Sequence, residues 1–198
     1  LLMQRAIAEA EARGMAPALD ATHFGEPVYQ RMGFGGEEKI ARLFAQRPLA
    51  RSGDGSCFRV EESMLGEVAE FEASISGFRR EAMLLDRLRR LSKTAWAHRD
   101  ASGALDGVVF GREGRVAGQI GPLLAKDAVV AKSLLAAALG DWSEPAYVDV
   151  PIWQNEFRQH LEALGFATER EFKRMTRPAG VGATDWSRTF AIAGPDLG

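Results

Sequence analysis

The sequence predicts an α+β protein with a mixed sheet, built as one partial and one near-complete copy of the same unit. A repeated phrase carries this most directly. Asp20-Ala21-Thr22 leads through Tyr29 to Gly33-Phe34, and Asp149-Val150-Pro151 leads through Leu161 to Gly165-Phe166. Each version reads as strand, helix, Gly-Phe, strand, and each follows an apolar helix. From Phe58 onward the order is rich in consecutive strands at the front and βαβ-like at the back, the pattern of one α+β domain.

Leu2, Ala6, Ile7 and Ala10 share one broad face, so Leu1 to Arg13 reads as a helix stopped by Gly14. Met15 to Ala21 reads as a short strand with Pro17 near its start. Pro27 suits a first helical turn, and that helix runs to Met32. Glu38 to Ala45 reads as a strand. Residues 47–56, with Pro48, Gly53, Asp54 and Gly55, have a linker's composition. The boundaries expected are therefore 1–46 for the C-terminal part of a first domain, 47–56 for a linker and 57–198 for a second domain. Residues 1–46 supply too little to enclose a core, and must lean on the second unit or on preceding sequence.

Phe58 to Val60 is a short strand by composition, and Glu61 to Glu70 and Arg79 to Leu91 are helices. In the latter, Met83, Leu84, Leu88 and Leu91 form a stripe beside a basic edge. Thr94 to His98, Leu105 to Phe110 and Arg115 to Ile120 follow as strands separated by Gly-containing turns, which predicts an antiparallel meander. Asp127 to Leu139 is a helix, Ala146 to Val150 a buried strand interrupted by Asp149, and Trp153 to Leu164 a helix. Thr168 to Met175 and Thr189 to Ala193 complete the sheet.

Of the 198 residues, 46% are hydrophobic and 26% charged, enough apolar content for a packed core. The net charge of -2 gives no general attraction to nucleic acid or anionic lipid, so neither is an expected partner. Cys57 is the only cysteine, which excludes an internal disulfide. His23, His98 and His160 show no metal-ligand spacing, and no metal is expected. No apolar run approaches bilayer length, and the first residues break into helical periodicity too soon for a signal peptide. A cytoplasmic chain is the expectation, with self-association left open. No initiator Met opens the chain, so an upstream segment is expected.

Taken in order, these residues resemble the GCN5-related N-acetyltransferase (GNAT) superfamily in a tandem two-domain form whose N-terminal part is missing. The first unit carries Leu19-Asp20-Ala21-Thr22, Gly25, Pro27-Val28, Tyr29 and Gly33-Phe34; the second carries Gly107-Val108-Val109-Phe110, Gln119 to Ala125, Asp149-Val150-Pro151, Asn155, Leu164-Gly165-Phe166 and Arg174-Met175. The resemblance implies a sheet splayed between the family's fourth and fifth strands, with acyl-coenzyme A in the gap. It also implies that the helix after the fourth strand receives the pyrophosphate. Tyr29 would be the proton donor to the departing thiolate, with cofactor contacts at Thr22, Gly25 and Arg31. In the second unit Leu123, Leu124 and Asn155 would touch the cofactor.

Two departures weaken the second unit against that pattern. Ala125-Lys126-Asp127-Ala128 lacks the loop glycines, and Asp127 would repel a pyrophosphate unless turned away or paired. Leu161 stands at the tyrosine position and has no proton to give. Asp149 is a candidate base or a buried structural carboxylate, and its parallel in Asp20 favours a shared structural role. Glu61, Glu62, Glu67 and Glu70 form a solvated face or an acidic lining for a cationic amine. Cys57 shows no histidine partner in the sequence and is expected to be inert. The function implied is transfer of an acyl group from acetyl-CoA to an amine of a small molecule or peptide. A non-catalytic ligand-binding or scaffold protein of the same fold is the alternative, and a third reading places chemistry at Asp149 or Asn155.

Overall fold

Strong punctuation by glycine, and a switch between helical and alternating apolar periods, divide the chain into six helices and nine strands among the described residues. The computed structural model describes residues 2–36, 38–49, 53–180 and 184–195. Leu1 of the first expected helix and residues 50–52 of the expected linker lie outside them. In chain order the elements are α1 (Leu2–Ala12), β1 (Ala18–Ala21), α2 (Glu26–Arg31), β2 (Lys39–Ala45), β3 (Cys57–Arg59) and α3 (Leu65–Ser76). There follow α4 (Glu81–Arg90), β4 (Trp96–Arg99), β5 (Leu105–Arg112), β6 (Gly118–Ala125) and α5 (Ala128–Leu139). The last are β7 (Ala146–Pro151), α6 (Asn155–Ala163), β8 (Ala167–Thr176) and β9 (Thr189–Ala191).

All the strands join one sheet in the order β1-β8-β2-β7-β6-β5-β4-β3, with β9 against β6. Only β6 and β7 run parallel; every other neighbour is antiparallel, including the expected meander β4-β5-β6. Strand alternation sends successive side chains to opposite faces. Val109 joins a core with Val130, Leu134, Leu135, Phe157 and Leu161 of α5 and α6. Its neighbours Val108 and Phe110 join a second core with Val68, Ile75, Leu84 and Leu88 of α3 and α4. A third, smaller cluster holds Ile7, Ala21, Phe34 and Met175 under α1 and α2.

The first 46 residues do lean on the rest, by interleaving. β2 lies between β7 and β8, while β1 lies on the far side of β8. Each Asp-bearing strand is thus paired with the strand that follows the other Gly-Phe. The register places Arg42 opposite Asp149 and Arg174 opposite Asp20. Arg42 Nε and Nη2 donate to Asp149 Oδ1 and Oδ2, both at 2.8 Å. Arg174 repeats the fork on Asp20, with Nη2 donating to Oδ2 at 2.9 Å. Both carboxylates have fully buried side chains. The repeat therefore extends to a pair of arginines, eight residues beyond Phe34 and Phe166. It extends further to Arg47-Pro48 and Arg177-Pro178, which lead each strand over the end of the opposite helix. There Leu49 N donates to Leu164 O and Arg177 Nη1 to Met32 O.

The meander's last strand differs from expectation. The expected range is Arg115 to Ile120; the strand instead spans Gly118–Ala125 and runs through Gly121-Pro122. Two residues of β6, Gly121 and Pro122, face the single Phe110 of β5, forming a bulge in which proline's missing N–H is tolerated. β7 follows β6 only through Ile120, so the two parallel strands part at this bulge.

Removing one partner of a buried ion pair strands the other charge. Arg42→Met is expected to lower unfolding stability by about 3–5 kcal/mol. Adding Asp149→Leu to it should restore most of the loss, as read by urea titration. A single-variant loss below about 1 kcal/mol would show that the pair is not the buried constraint described here.

Candidate functional site

At the end of β1 the chain makes a tight turn before α2. Thr22 O accepts from the N–H of Gly25 at 2.9 Å and of Glu26 at 3.0 Å, and Thr22 Oγ1 also faces Gly25 N. Gly25 packs so closely that a Cβ there would meet Tyr29 Cε2 at 3.0 Å. Tyr29 is half-buried, its ring set edge-on to Phe34 at 6.2 Å. Thr22, Gly25 and Tyr29 are thus brought together within one turn of chain. Arg31 stands apart, exposed at the lip of an open groove of about 540 Å³ lined by α1, Gly33 and Arg177.

Three cations from the end of β8 grip this turn and its surroundings. Lys173 Nζ contacts Glu26 at 2.7 Å, at the start of α2. Arg174 holds Asp20 in β1. Arg177 contacts Glu11 of α1 at 3.1 Å and donates to Met32 O at the end of α2. Each element around Tyr29 is therefore fixed by a residue from the far end of the sequence. Sequence spacing gives no sign of this clamp, although its arginine is the counterpart of Arg42 in the repeat.

The corresponding region of the second phrase is arranged differently. Leu123 and Leu124, expected beside a cofactor, lie instead in the buried ladder with β9, opposite Ala191 and Thr189. β5 occupies their other edge, so β9 sits in the opening where β6 and β7 part. Ile192 N then donates to Asp149 O at 3.0 Å, linking β9 to β7. Asn155 is exposed at the first residue of α6. Leu161 is fully buried in the core.

Asp149 is engaged as a counter-ion: besides the Arg42 fork it accepts from Gln119 Nε2 at 3.1 Å. Hydrogen bonding to Asp149 in turn holds the Arg42 guanidinium above its ordinary range. Such a carboxylate, buried and satisfied by a cation and an amide, has a structural role rather than a base's. At the start of α5, Asp127 Oδ1 accepts from Val130 N at 3.0 Å, a self-made N-cap. Lys126 turns the other way, to Asp106 at 2.5 Å, and that contact raises its pKa. Glu62 and Glu67 form surface pairs with Arg89 and Arg99 rather than an open acidic lining.

Cys57 does have a histidine neighbour, because the β3–β4 register sets it opposite His98, whose Nδ1 lies 2.5 Å from Asp106 Oδ1. Separation along the chain hid this cross-strand pairing, and the imidazole's hydrogen bond goes to Asp106. Among the described residues no group of three or more His, Cys, Asp or Glu could hold a metal ion, and no helix is long and apolar enough to cross a membrane.

Residues 68–191 match the family model for the acetyltransferase (GNAT) domain. Among solved structures, the chain is similar to an acetyltransferase candidate from Pyrococcus horikoshii, at 20% identity and TM-score 0.73, covering 98% of this chain and 64% of that one. It is also similar to a GCN5-related N-acetyltransferase of Sphaerobacter thermophilus, at 13% identity and TM-score 0.54, over 82% of this chain and 59% of that one. For a GCN5-related N-acetyltransferase of Kribbella flavida the figures are 11% and 0.56, over 89% and 73%. At these identities the likeness is one of fold, and this chain spans under two thirds of the first two proteins. No curated protein sequence matches it significantly.

Burial pushes the Cys57 thiol up, and the nearby Asp54 and Asp106 carboxylates add to the shift. At pH 8 less thiolate should therefore be present than in a free cysteine. Alkylation of Cys57 by iodoacetamide, followed by mass spectrometry, should be slower than that of a cysteine peptide and should climb as pH rises past 9. Equal or faster alkylation at pH 8 would contradict this.

Proposed function

Because the chain belongs to the GNAT acetyltransferase family, we propose that it transfers an acetyl group from acetyl-CoA to an amine of a small molecule or peptide, with the chemistry at the end of β1. The observation that carries this reading is the grouping of Thr22, Gly25 and Tyr29 in one turn, with a glycine where a Cβ would press on the tyrosine ring. Acetyl-CoA supplies the activated acyl thioester. Thr22, Gly25 and Arg31 are the proposed cofactor contacts: a hydroxyl, a backbone open to close approach and a cation for a phosphate. Tyr29 holds a proton at Oη for the departing thiolate, while the amine attacks directly with no covalent enzyme intermediate.

In this proposal residues 1–46 are the C-terminal part of a first domain, 47–56 join it to the second and 57–198 form that second domain. The pairing of the two Asp strands supports it. β7 has β2 on one side and the parallel β6 on the other, and β6 supplies Gln119 to Asp149. β1 has β8 on one side only among the described residues. A strand preceding residue 1 would lie parallel to the open edge of β1, with a side-chain donor for Asp20. The pyrophosphate loop would then lead into α1. We place the protein in the cytoplasm.

A scaffold reading has its own support in the second phrase, where Leu161 fills the tyrosine position with buried hydrocarbon and Asp149 is tied to Arg42. It applies to residues 57–198 as a structural partner rather than to the whole chain.

Calorimetric titration of the full-length protein with acetyl-CoA tests the proposal, followed by turnover of Tyr29→Phe. Binding is expected, with Kd within about twofold in the variant and kcat lower by about 10²-fold. Undetectable binding sinks the enzyme reading. Unchanged turnover of the variant across pH removes the role of Tyr29 alone.

A further inference from the structure

Parallel neighbours that part beyond a shared register leave a crevice at their carboxyl ends, and in open α/β sheets such a crevice is the general place for a ligand. Here β6 and β7 part after Ile120, and α5 begins just past β6, so its first N–H groups stand ready for an anion. Both halves of that place are filled from within the chain.

The strand gap holds the segment 189–193. Leu123 and Leu124 pair with Ala191 and Thr189, and Ile192 N reaches across to Asp149 O of β7. Phe190, Ala191, Ile192 and Ala193 are all buried, and Phe190 packs edge-on against Phe157 of α6 at 5.3 Å. The bulge glycine is fitted to this segment, since Gly121 has φ +146 and a Cβ there would meet Ile192 O at 2.0 Å. The segment is held at both ends. Gln154 Nε2 donates to Thr189 O at 3.2 Å, and Arg87 Nη2, from α4, donates to Ala193 O at 2.8 Å. The cavity left beside it, next to Pro122 and Leu124, measures about 20 Å³, room for about one water. At the helix start, the Asp127 carboxylate already occupies Val130 N, and it presents negative charge to any incoming phosphate.

We infer that this crevice is occupied by the chain's own residues as an internal ligand: β9 takes the place of an extended pantetheine-like arm, and the Asp127 carboxylate that of an anionic head. The second half of the chain is thereby a closed body without a nucleotide-thioester site, and Leu123, Leu124 and Asn155 serve β9 and the surface. This goes beyond the proposed chemistry at Tyr29 and does not depend on it.

Hydrogen exchange read by mass spectrometry on the full-length protein, with and without saturating acetyl-CoA, decides the matter. Without ligand, the peptide over 189–193 should exchange as slowly as that over 40–45, about 100-fold or more below the exposed turn at 101–103. With ligand, peptides over 121–130 and 189–193 should not change. Loop-like exchange of 189–193, or ligand protection of 121–130 coupled to faster exchange of 189–193, overturns the inference. If no peptide responds to acetyl-CoA and calorimetry shows no heat, the proposed function fails, and slow exchange at 189–193 still supports the filled crevice.

Discussion

Two buried arginine–carboxylate forks, Arg42 on Asp149 and Arg174 on Asp20, fix how the halves of this chain meet. A buried carboxylate must be met by a partner with matching geometry, and a guanidinium gives two parallel donors that fit only in register. A slip of β2 by one residue would remove Arg42 from Asp149 and turn Ala41, Leu43 and Ala45 off the core face they share. The aromatic surroundings reinforce the choice: Arg42 lies 4.8 Å from the Tyr147 ring centroid and 5.1 Å from that of Phe172. Net stabilisation by such pairs is commonly small, so their contribution here is specificity of pairing. Everything downstream inherits that register, from the β8 cations around Tyr29 to the point where β6 and β7 part.

The same repeated phrase therefore serves two ends. Around Tyr29 it is left with a polar turn, a glycine and an exposed groove, braced from outside by Lys173, Arg174 and Arg177. Around Leu161 it is sealed with hydrocarbon and backed by a strand. Bracing one version and sealing the other are linked physically, because β8 is the brace and β9, which ends the same stretch, is the seal.

Much of this architecture was legible because it rests on local rules. Helix-stopping glycines, the meander's turns and the alternation in β2 lie in short windows, and the Asp-to-Phe repeat announced that two regions share a form. Three features were not legible. The interleaving of β1 and β2 with β7 and β8 depends on partners far along the chain, and periodicity is silent about which strand lies beside which. The β6 boundary lies beyond the expected one because a bulge carries the strand past Gly121 and Pro122. Cys57 and His98 became neighbours only through the β3–β4 register. At the site, residue identity pointed to Tyr29 and its turn, whereas the filling of the second crevice could be seen only once β9 had a place.

Interleaving also sets a timetable. β2 leaves the ribosome before β7 and β8, the strands that flank it, and β8 follows roughly 130 residues later. At about 5–20 residues per second, Ile40 and Leu43 are without their full native cover for about 6–26 seconds. During that interval the segment is an apolar strand with two open edges, the form most prone to pairing with a stranger. Lys39 and Arg42 within it, and Glu38 just before, are then the charges that keep it apart from other nascent chains. Arg42, the residue that later fixes the register against Asp149, would thus act first as a gatekeeper against the wrong strand.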